Sequence, residues 1–419
     1  MAAATRPGWM NVLLSLLGFF AVFNEAGGIS TEEYLGMKKY LKSINKPALK
    51  SIKIESGDVF DCVDIYKQPA FDHPLLKNYT IQMRPSFVPK RRITMTSSSN
   101  MSMEIDIGLP GGGCPKGTVP IRRVQMQHLL GAGSVSNFGK KHYRNFSSTN
   151  ILEPWHSYHW GVIRTKRGEF YGTAADVNVW KPEVQYDEKY SSAQVWLIGG
   201  PEDDLNTVEA GWMVNGQIFG DRETRLFAFW TADGHRNTGC INTLCPGFVS
   251  VNERYPLGLP IRPVSVRHGA QFHISVYVFK DVEVWWLLLN NEPVGFWPKK
   301  LFNHLNDKID VVQWGGEVYN PQGPDAFRKK KAIVHRSQSP KEYPPMGSGL
   351  DAKYGWQVSS FMKAIKVLNS KKELDDAPTD TEYYLDKGCY RVWDHGQSRD
   401  PKWSRNFYFG GPGGHSPEC

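Results

Sequence analysis

The sequence predicts a mainly β protein: an antiparallel two-sheet β-sandwich domain preceded by a small α+β unit. Three observations lead there. After Trp155, short runs rich in Trp, Tyr, Phe and Val recur between turn residues, and convincing helical patterns are rare. Thirteen of the 14 tryptophans lie at or after Trp155, which marks a compositional step near residue 150. Before that step, one well-signalled helix is followed by β-like runs broken by prolines. The 419 residues are 40% hydrophobic and 22% charged, a balance that folds and leaves room for two domains.

Taken in order, residues 1–28 read as a secretory signal peptide. Arg6 supplies the positive start, Val12 to Phe23 is apolar apart from Ser15 and Gly18, and Ala26-Gly27-Gly28 offers small residues for cleavage. The apolar run is short for a membrane span, and no later stretch approaches the roughly 20 residues a span needs. Residues 29–128 form the expected small unit. Ser30-Thr31-Glu32-Glu33 is a capping box, and Tyr34, Met37, Leu41 and Ile44 make one helical stripe that should end before Pro47. Short strands such as Val63 to Tyr66 follow, and Gly111-Gly112-Gly113-Cys114-Pro115 is a turn. Residues 129–150, rich in Gly, Ser, Asn and basic residues, read as a flexible, cleavable connector.

Residues 151–419 make the sandwich. Strands are expected at Gln194–Ile198, Arg225–Thr231 and His273–Phe279. A hairpin runs from Val282 to Leu289, through Asn290-Asn291-Glu292, to Pro293–Trp297, and Lys308–Val312 leads into the run Gln313 to Val318.

Cysteines and sequons describe the compartment. Six cysteines (Cys62, Cys114, Cys240, Cys245, Cys389 and Cys419) allow 15 pairings. Each region holds two, so the simplest set is Cys62–Cys114, Cys240–Cys245 and Cys389–Cys419. Zinc is disfavoured, because no C-x-x-C occurs and the His neighbours lack ligand spacing. The i, i+3 pair His156 and His159 reads as local packing rather than a metal site. Glycosylation sequons begin at Asn78, Asn100 and Asn145, all before residue 150. Together these features predict a secreted, disulfide-bonded glycoprotein with no membrane anchor once the signal is removed.

Charge is unevenly spread. Residues 1–150 carry 19 Lys+Arg against 10 Asp+Glu, so the whole +8 excess belongs to the first third. The basic residues are dispersed and no recognition motif accompanies them, which argues against nucleic-acid binding.

The available chemistry narrows by elimination. There is no G-x-S-x-G and no H-E-x-x-H, and cysteines in an oxidising compartment are better used in disulfides. No metal and no cofactor are implied. Carboxylates remain. Glu209 sits in Thr207-Val208-Glu209-Ala210-Gly211-Trp212, and Glu317 in Gln313-Trp314-Gly315-Gly316-Glu317-Val318. A carboxylate held against a tryptophan wall would be desolvated and its pKa raised. Two such groups would suit acid–base catalysis. The 108 positions between them leave open whether they meet or face solvent separately.

Longer motifs carry a family resemblance. The run Asp61 to Pro74 (DCVDIYKQPAFDHP) resembles the activation peptide that precedes the neprosin domain. Val208-Glu209-Ala210-Gly211-Trp212, Gly239-Cys240 with Leu244-Cys245, and Trp314-Gly315-Gly316-Glu317-Val318 resemble the neprosin catalytic domain. So do Met346-Gly347-Ser348-Gly349 and the Cys389–Cys419 tail, in which Asp394 to Lys402 reads as extra loop. The resemblance spans nearly the whole chain after the signal, in the same order.

It implies a plant-type secreted (apoplastic) glutamic endopeptidase, made as a zymogen, that cleaves after proline in acid. Glu209 and Glu317 fall on the family's two catalytic positions. It also supports the Cys240–Cys245 and Cys389–Cys419 disulfides. Its partners would be a proline-containing peptide or protein substrate and its own pro-domain as inhibitor. Trp212, Trp230, Trp297 and Trp314 are candidates for stacking on a proline ring, weighed against a place in the core. A basic pro-region over acidic residues suggests release in acid, with Lys90, Arg91 and Arg92 as the expected contact. The alternative is a secreted, tryptophan-rich β-sandwich that binds glycans or cell-wall material without catalysis. Acidifying the purified protein separates the two on a gel: the zymogen yields a band near the mass of residues 150–419, and the binding module stays intact.

Overall fold

The computed structural model describes residues 29–90, 102–141, 158–321, 343–385 and 388–414. The proposed signal peptide, Arg91, Arg92, Asn100, Asn145, His156 and Cys419 lie outside them.

The chain is mainly β, as its pattern predicts. Helix α1 (Thr31–Ile44) is capped by Ser30, whose side chain accepts from the Glu33 N–H while the Glu33 carboxylate accepts from the Ser30 N–H. It buries Met37 and Ile44. Strands β1 (Ala48–Lys53) and β2 (Val59–Asp64) begin the small unit. Then come β3 (Met103–Glu104), β4 (Thr118–Arg122) and a short helix α2 (Met126–Gly131). The order β1-β2-β4 makes a three-stranded antiparallel sheet, cross-linked by Cys62–Cys114.

The remaining strands build two larger layers. They are β5 (Tyr158–Arg164), β6 (Gly172–Asn178), β7 (Tyr190–Gly199), β8 (Asn206–Asn215), β9 (Arg225–Thr231), β10 (Cys240–Ile241), β11 (Val249–Ser250), β12 (Phe272–Asp281), β13 (Val284–Leu289) and β14 (Glu292–Pro298). After these come β15 (Val311–Tyr319), β16 (Ser360–Leu368), β17 (Leu374–Asp376), β18 (Glu382–Leu385), β19 (Arg391–Gln397) and β20 (Arg405–Gly410). The front sheet runs β10-β9-β8-β7-β15-β5-β18; the back sheet runs β11-β14-β13-β12-β6-β16-β20-β19. The expected β13–β14 hairpin turns at Asn290 and Asn291, both at positive φ, as a two-residue turn with matching twist requires.

Period-two alternation sends one face of the front sheet inward. Val208, Ala210, Trp212, Val195, Leu197, Val312 and Trp314 join the core between the layers. The Trp212 indole donates to the Asn178 carbonyl at 2.8 Å and that of Trp314 to Thr173 Oγ1 at 2.9 Å, both on β6 of the back sheet. Trp230 and Trp297 are equally buried. The tail also departs from expectation: Asp394–Gln397 is strand rather than loop, because Asp394 pairs with the fully buried Arg405 across β19–β20.

The small unit is not a detached cap. β3 adds to the back sheet beside β12, and Phe60, Leu76, Ile105 and Ile107 share the sandwich's core. The segment ending at Lys90 runs along the back sheet, where Gln82 and Ser86 bind Asp281 and Phe87 packs on Phe279. The expected contact at Lys90 is therefore on the far layer from the front sheet's outer face, and Lys90 itself is exposed.

A buried ion network joins the two parts on the front side. Asp58 takes Arg122 Nε at 2.7 Å and Arg225 Nη2 at 2.7 Å, and Arg225 also pairs with Asp221. Burial raises the Asp58 pKa, but Arg122 and Arg225 outweigh it and hold the carboxyl below its ordinary value. Asp58→Asn leaves two buried guanidiniums short of a counter-charge. Thermal unfolding is expected to show a loss of about 3–5 kcal/mol, and a melting curve matching wild type would contradict the role given to Asp58.

Candidate active site

The outer face of the front sheet carries the residues left over by that alternation. On β8 these are Thr207, Glu209, Gly211 and Met213; on β15, Gln313, Gly315, Glu317 and Tyr319. Glu209 pairs with Trp196 on β7 and Phe229 on β9, while Glu317 pairs with Ser192 on β7 and Trp160 on β5. Only β7 separates β8 from β15, so both glutamates rise from the same face, one strand apart.

Trp212 and Trp314 each stand three residues from their glutamate, an odd number. They therefore face the core and form no wall for the carboxylates. All four tryptophans proposed as stacking surfaces are core residues. Among the aromatic residues beside the glutamates, Trp160 and Trp196 line the cleft.

Glu209 and Glu317 converge on one cation. Lys141 Nζ lies 2.5 Å from Glu209 Oε2 and 2.8 Å from Glu317 Oε1. Those oxygens are thus no further apart than the two lengths end to end, about 5.3 Å. All three side chains are buried. Neutral donors complete each carboxylate. Glu209 accepts from Gln194 Nε2 at 2.6 Å and Thr207 Oγ1 at 2.9 Å. Glu317 accepts from the Tyr190 hydroxyl at 2.6 Å and Trp160 Nε1 at 3.0 Å.

Burial is the largest influence on these groups. It pushes Glu209 up; Lys141 pulls it back, Glu317 adds to the rise, and the carboxyl ends above its ordinary value. Burial alone would lower Lys141, but the two carboxylates reverse this and raise it. Tyr190 is pushed well above its ordinary value by burial and then by Glu317, so it remains a hydroxyl donor. His235 on the cleft wall is pushed down to about 3, first by burial and then by Lys141.

Lys141 comes from the stretch read as a flexible connector, and the described part of that stretch is packed. Leu129 and Phe138 are buried, and the Gly139 carbonyl accepts from the Ile241 N–H at 2.7 Å. Gly139 has φ +74, and a Cβ there would meet Cys245 Sγ at 3.1 Å. The loop closed by Cys240–Cys245 thus fixes the approach that delivers Lys141. Residues 142–150 lie outside the described residues.

The dyad stands at a boundary. On one side α1, α2 and residues 132–141 cover Tyr190, Met213, Phe227, Phe229 and Tyr319. On the other is an open cleft of about 530 Å³ that includes Trp160, Trp196, Arg164 and Tyr384, with both glutamates in its lining. Among the described residues no group of His, Cys, Asp and Glu is arranged to hold a metal. His159 instead packs edge-on against Tyr343. The sequon at Asn78 is exposed.

Sequence reasoning missed Lys141, Tyr190, Gln194, Thr207, Trp160 and Trp196. One signal was present: Ser192 and Gln194 alternate with Ala193, Val195 and Leu197, marking a polar face on a strand too apolar to be at the surface.

The sign of the pH response follows from Lys141. Measured against the unfolded chain, a raised Glu209 pKa favours the fold at low pH, and that contribution is lost as pH rises through the folded value. Measured against a fold with Lys141 withdrawn, the sign reverses. Lys141 depresses Glu209 relative to that state, so its docking is strongest at higher pH and is lost as acid protonates Glu209. Lys141→Met keeps the stem and removes the charge. Acid processing followed on gels is expected to begin about 1 pH unit or more higher than in wild type; an unshifted threshold would show that Lys141 does not hold the segment.

Comparison with known proteins places these features. Residues 187–412, more than half of the chain, match the family described as Neprosin, and residues 51–165 match its Neprosin activation peptide. The second match runs past residue 150, through the described part of the connector and into β5. Among solved structures, scytalido-glutamic peptidase with a transition-state analogue inhibitor is similar at 11% identity and a TM-score of 0.32, over 60% of this chain and 97% of that one. SCP-B, a member of the eqolisin peptidases in complex with the tripeptide Ala-Ile-His, is similar at 11% identity and a TM-score of 0.30, over 60% and 96%. CG-16, a homodimeric agglutinin from chicken liver, gives 8% identity and a TM-score of 0.22, over 38% and 93%.

Proposed function

This chain belongs to the neprosin family and carries that family's activation peptide, and on that premise we propose that it is a secreted glutamic endopeptidase, made as a zymogen, that cleaves after proline in acid with Glu209 and Glu317. The observation that carries the reading is the convergence of two buried glutamates on one lysine of the activation segment, at the edge of an open cleft. Burying two carboxylates on one face of a sheet is costly without a counter-charge. Lys141 is the counter-charge, and in filling the space between the carboxylates it excludes a substrate. The pro-region is thereby the inhibitor, and acid weakens its hold.

The donors around each glutamate divide their roles once Lys141 has left. Glu317 is met by Trp160 N–H, which can only donate, and by Tyr190 O–H, which stays protonated. Both direct a proton at its oxygens, and Glu317 is assigned as the general base. Glu209, held above its ordinary pKa, is the general acid. Water attacks the scissile carbonyl carbon and its proton passes to Glu317, while the carbonyl π pair moves to oxygen. Glu209 then gives its proton to the leaving nitrogen, the C–N bond breaks and the carbonyl re-forms. Solvent returns Glu317 and Glu209 to their starting states. Trp160 and Trp196 flank the carboxylates and offer flat apolar surfaces for a proline ring.

Export is supported by the signal-like start, the sequons and the two described disulfides, Cys62–Cys114 and Cys240–Cys245. No helix among the described residues is long and apolar enough to cross a membrane.

The test is direct. Glu209→Gln and Glu317→Gln, assayed on proline-containing peptides from pH 2 to 6, should each lose at least about 100-fold in kcat, the scale of acid–base assistance. Undiminished turnover in either variant would remove that glutamate from the mechanism.

A further inference from the structure

We propose that Gln194 is a third catalytic residue, its side-chain amide donating a hydrogen bond to the scissile carbonyl oxygen as negative charge develops there. The proposal rests on Glu209 and Glu317 being the acid–base pair. Gln194 lies on β7, between the strands that carry them, and pairs with Gly211 on one side and Gly315 on the other. Neither neighbour tolerates a side chain. A Cβ at Gly211 would lie 2.1 Å from the Ala193 carbonyl oxygen and 2.7 Å from Gln194 Cα; one at Gly315 would lie 2.2 Å from the Gly161 carbonyl oxygen. The site floor is therefore bare on both sides of Gln194, and its amide rises alone between the two carboxylates.

Its hydrogen bonding fits a functional group better than a structural one. Gln194 is fully buried, and Oε1 has no hydrogen-bond partner among the described residues. Leaving such an acceptor unsatisfied is costly, and an apolar residue in its place would avoid that cost. Of the two N–H donors on the amide, Glu209 Oε2 takes one at 2.6 Å. That oxygen is also the one Lys141 Nζ approaches to 2.5 Å. The ammonium thus marks the point between the carboxylates where the reacting atoms enter once the segment leaves, next to the Gln194 amide.

An amide suits this duty in acid because it does not titrate over the range in which the carboxylates do. It is also fixed before the reaction begins, which is what makes an oxyanion donor effective. No proton leaves Gln194: its N–H···O bond strengthens as the carbonyl π pair moves onto oxygen and relaxes as the carbonyl re-forms.

The experiment uses the full chain, matured in acid, with Gln194→Met beside Glu209→Gln and Glu317→Gln on one proline-containing peptide. The Met variant should lose about 100–1,000-fold in kcat, the usual effect of removing one such donor. KM should stay within about threefold, and both limbs of the pH profile should stay in place. Turnover within about threefold of wild type would overturn the proposal. So would a loss confined to KM, or one that disappears when the acid limb is allowed to shift, since that would make Gln194 a positioning residue for Glu209. If the Met variant fails to mature, Gln194→Glu keeps the shape and reports instead. Its rate should fall with rising pH as the new carboxyl ionises, whereas a wild-type profile would overturn the role. Active dyad variants, or an inactive wild type, would bring down the underlying reading and this one with it. Inactive dyad variants beside a fully active Gln194→Met would bring down this proposal alone.

Discussion

Two carboxylates buried on one face of one sheet, a single strand apart, need a positive charge or a shared proton, and much of this structure is arranged around that requirement. Lys141 supplies the charge. It reaches the pair only because Gly139 passes close against the Cys240–Cys245 loop. Helices α1 and α2 and the intervening turns then seal the aromatic half of the front sheet behind it. Because Lys141 belongs to the activation segment, the fold's electrostatic balance and its proposed latency depend on the same contact.

The pro-region is held by apolar burial as well as by charge. Its strand β3 extends the back sheet, and its side chains share the main core. The Asp58–Arg122–Arg225–Asp221 network ties the three-stranded sheet to β9. His128, buried beside it, has its pKa pushed down to about 4 by burial first and Arg122 second. Acid therefore bears on this joint as well as on the dyad, while the apolar contacts do not change with pH. Protonation can loosen the charged joints, and cleavage in the segment beyond Lys141 would make the release irreversible.

Much of the fold was legible. The capping box placed α1, apolar and aromatic runs placed β7 and β9, alternation placed β12, and the Asn290-Asn291-Glu292 turn placed the β13–β14 hairpin. These are local properties, written in residues within a few positions of one another. The same alternation misled where it was not followed far enough. Trp212 and Trp314 adjoin the glutamate motifs, yet an odd spacing of three sends them to the opposite face. The connector was misread for a related reason. Its Gly, Ser and Asn content signals a loose segment, but Gly139 serves a close approach and Phe138 an apolar contact that only the packed chain makes.

The sequence by itself determined a mainly β chain with cysteines suited to oxidation, a basic first third, and two glutamates in matching glycine–tryptophan settings. Each of these depends on composition or short-range pattern. Only the tertiary structure decided that β7 lies between β8 and β15, which brings Glu209 and Glu317 together across 108 positions. It likewise decided that Lys141 fills the space between them and that Gln194 rises from the strand in the middle. Those relations depend on strand order and on which face each strand presents, and neither is written in any local run of residues.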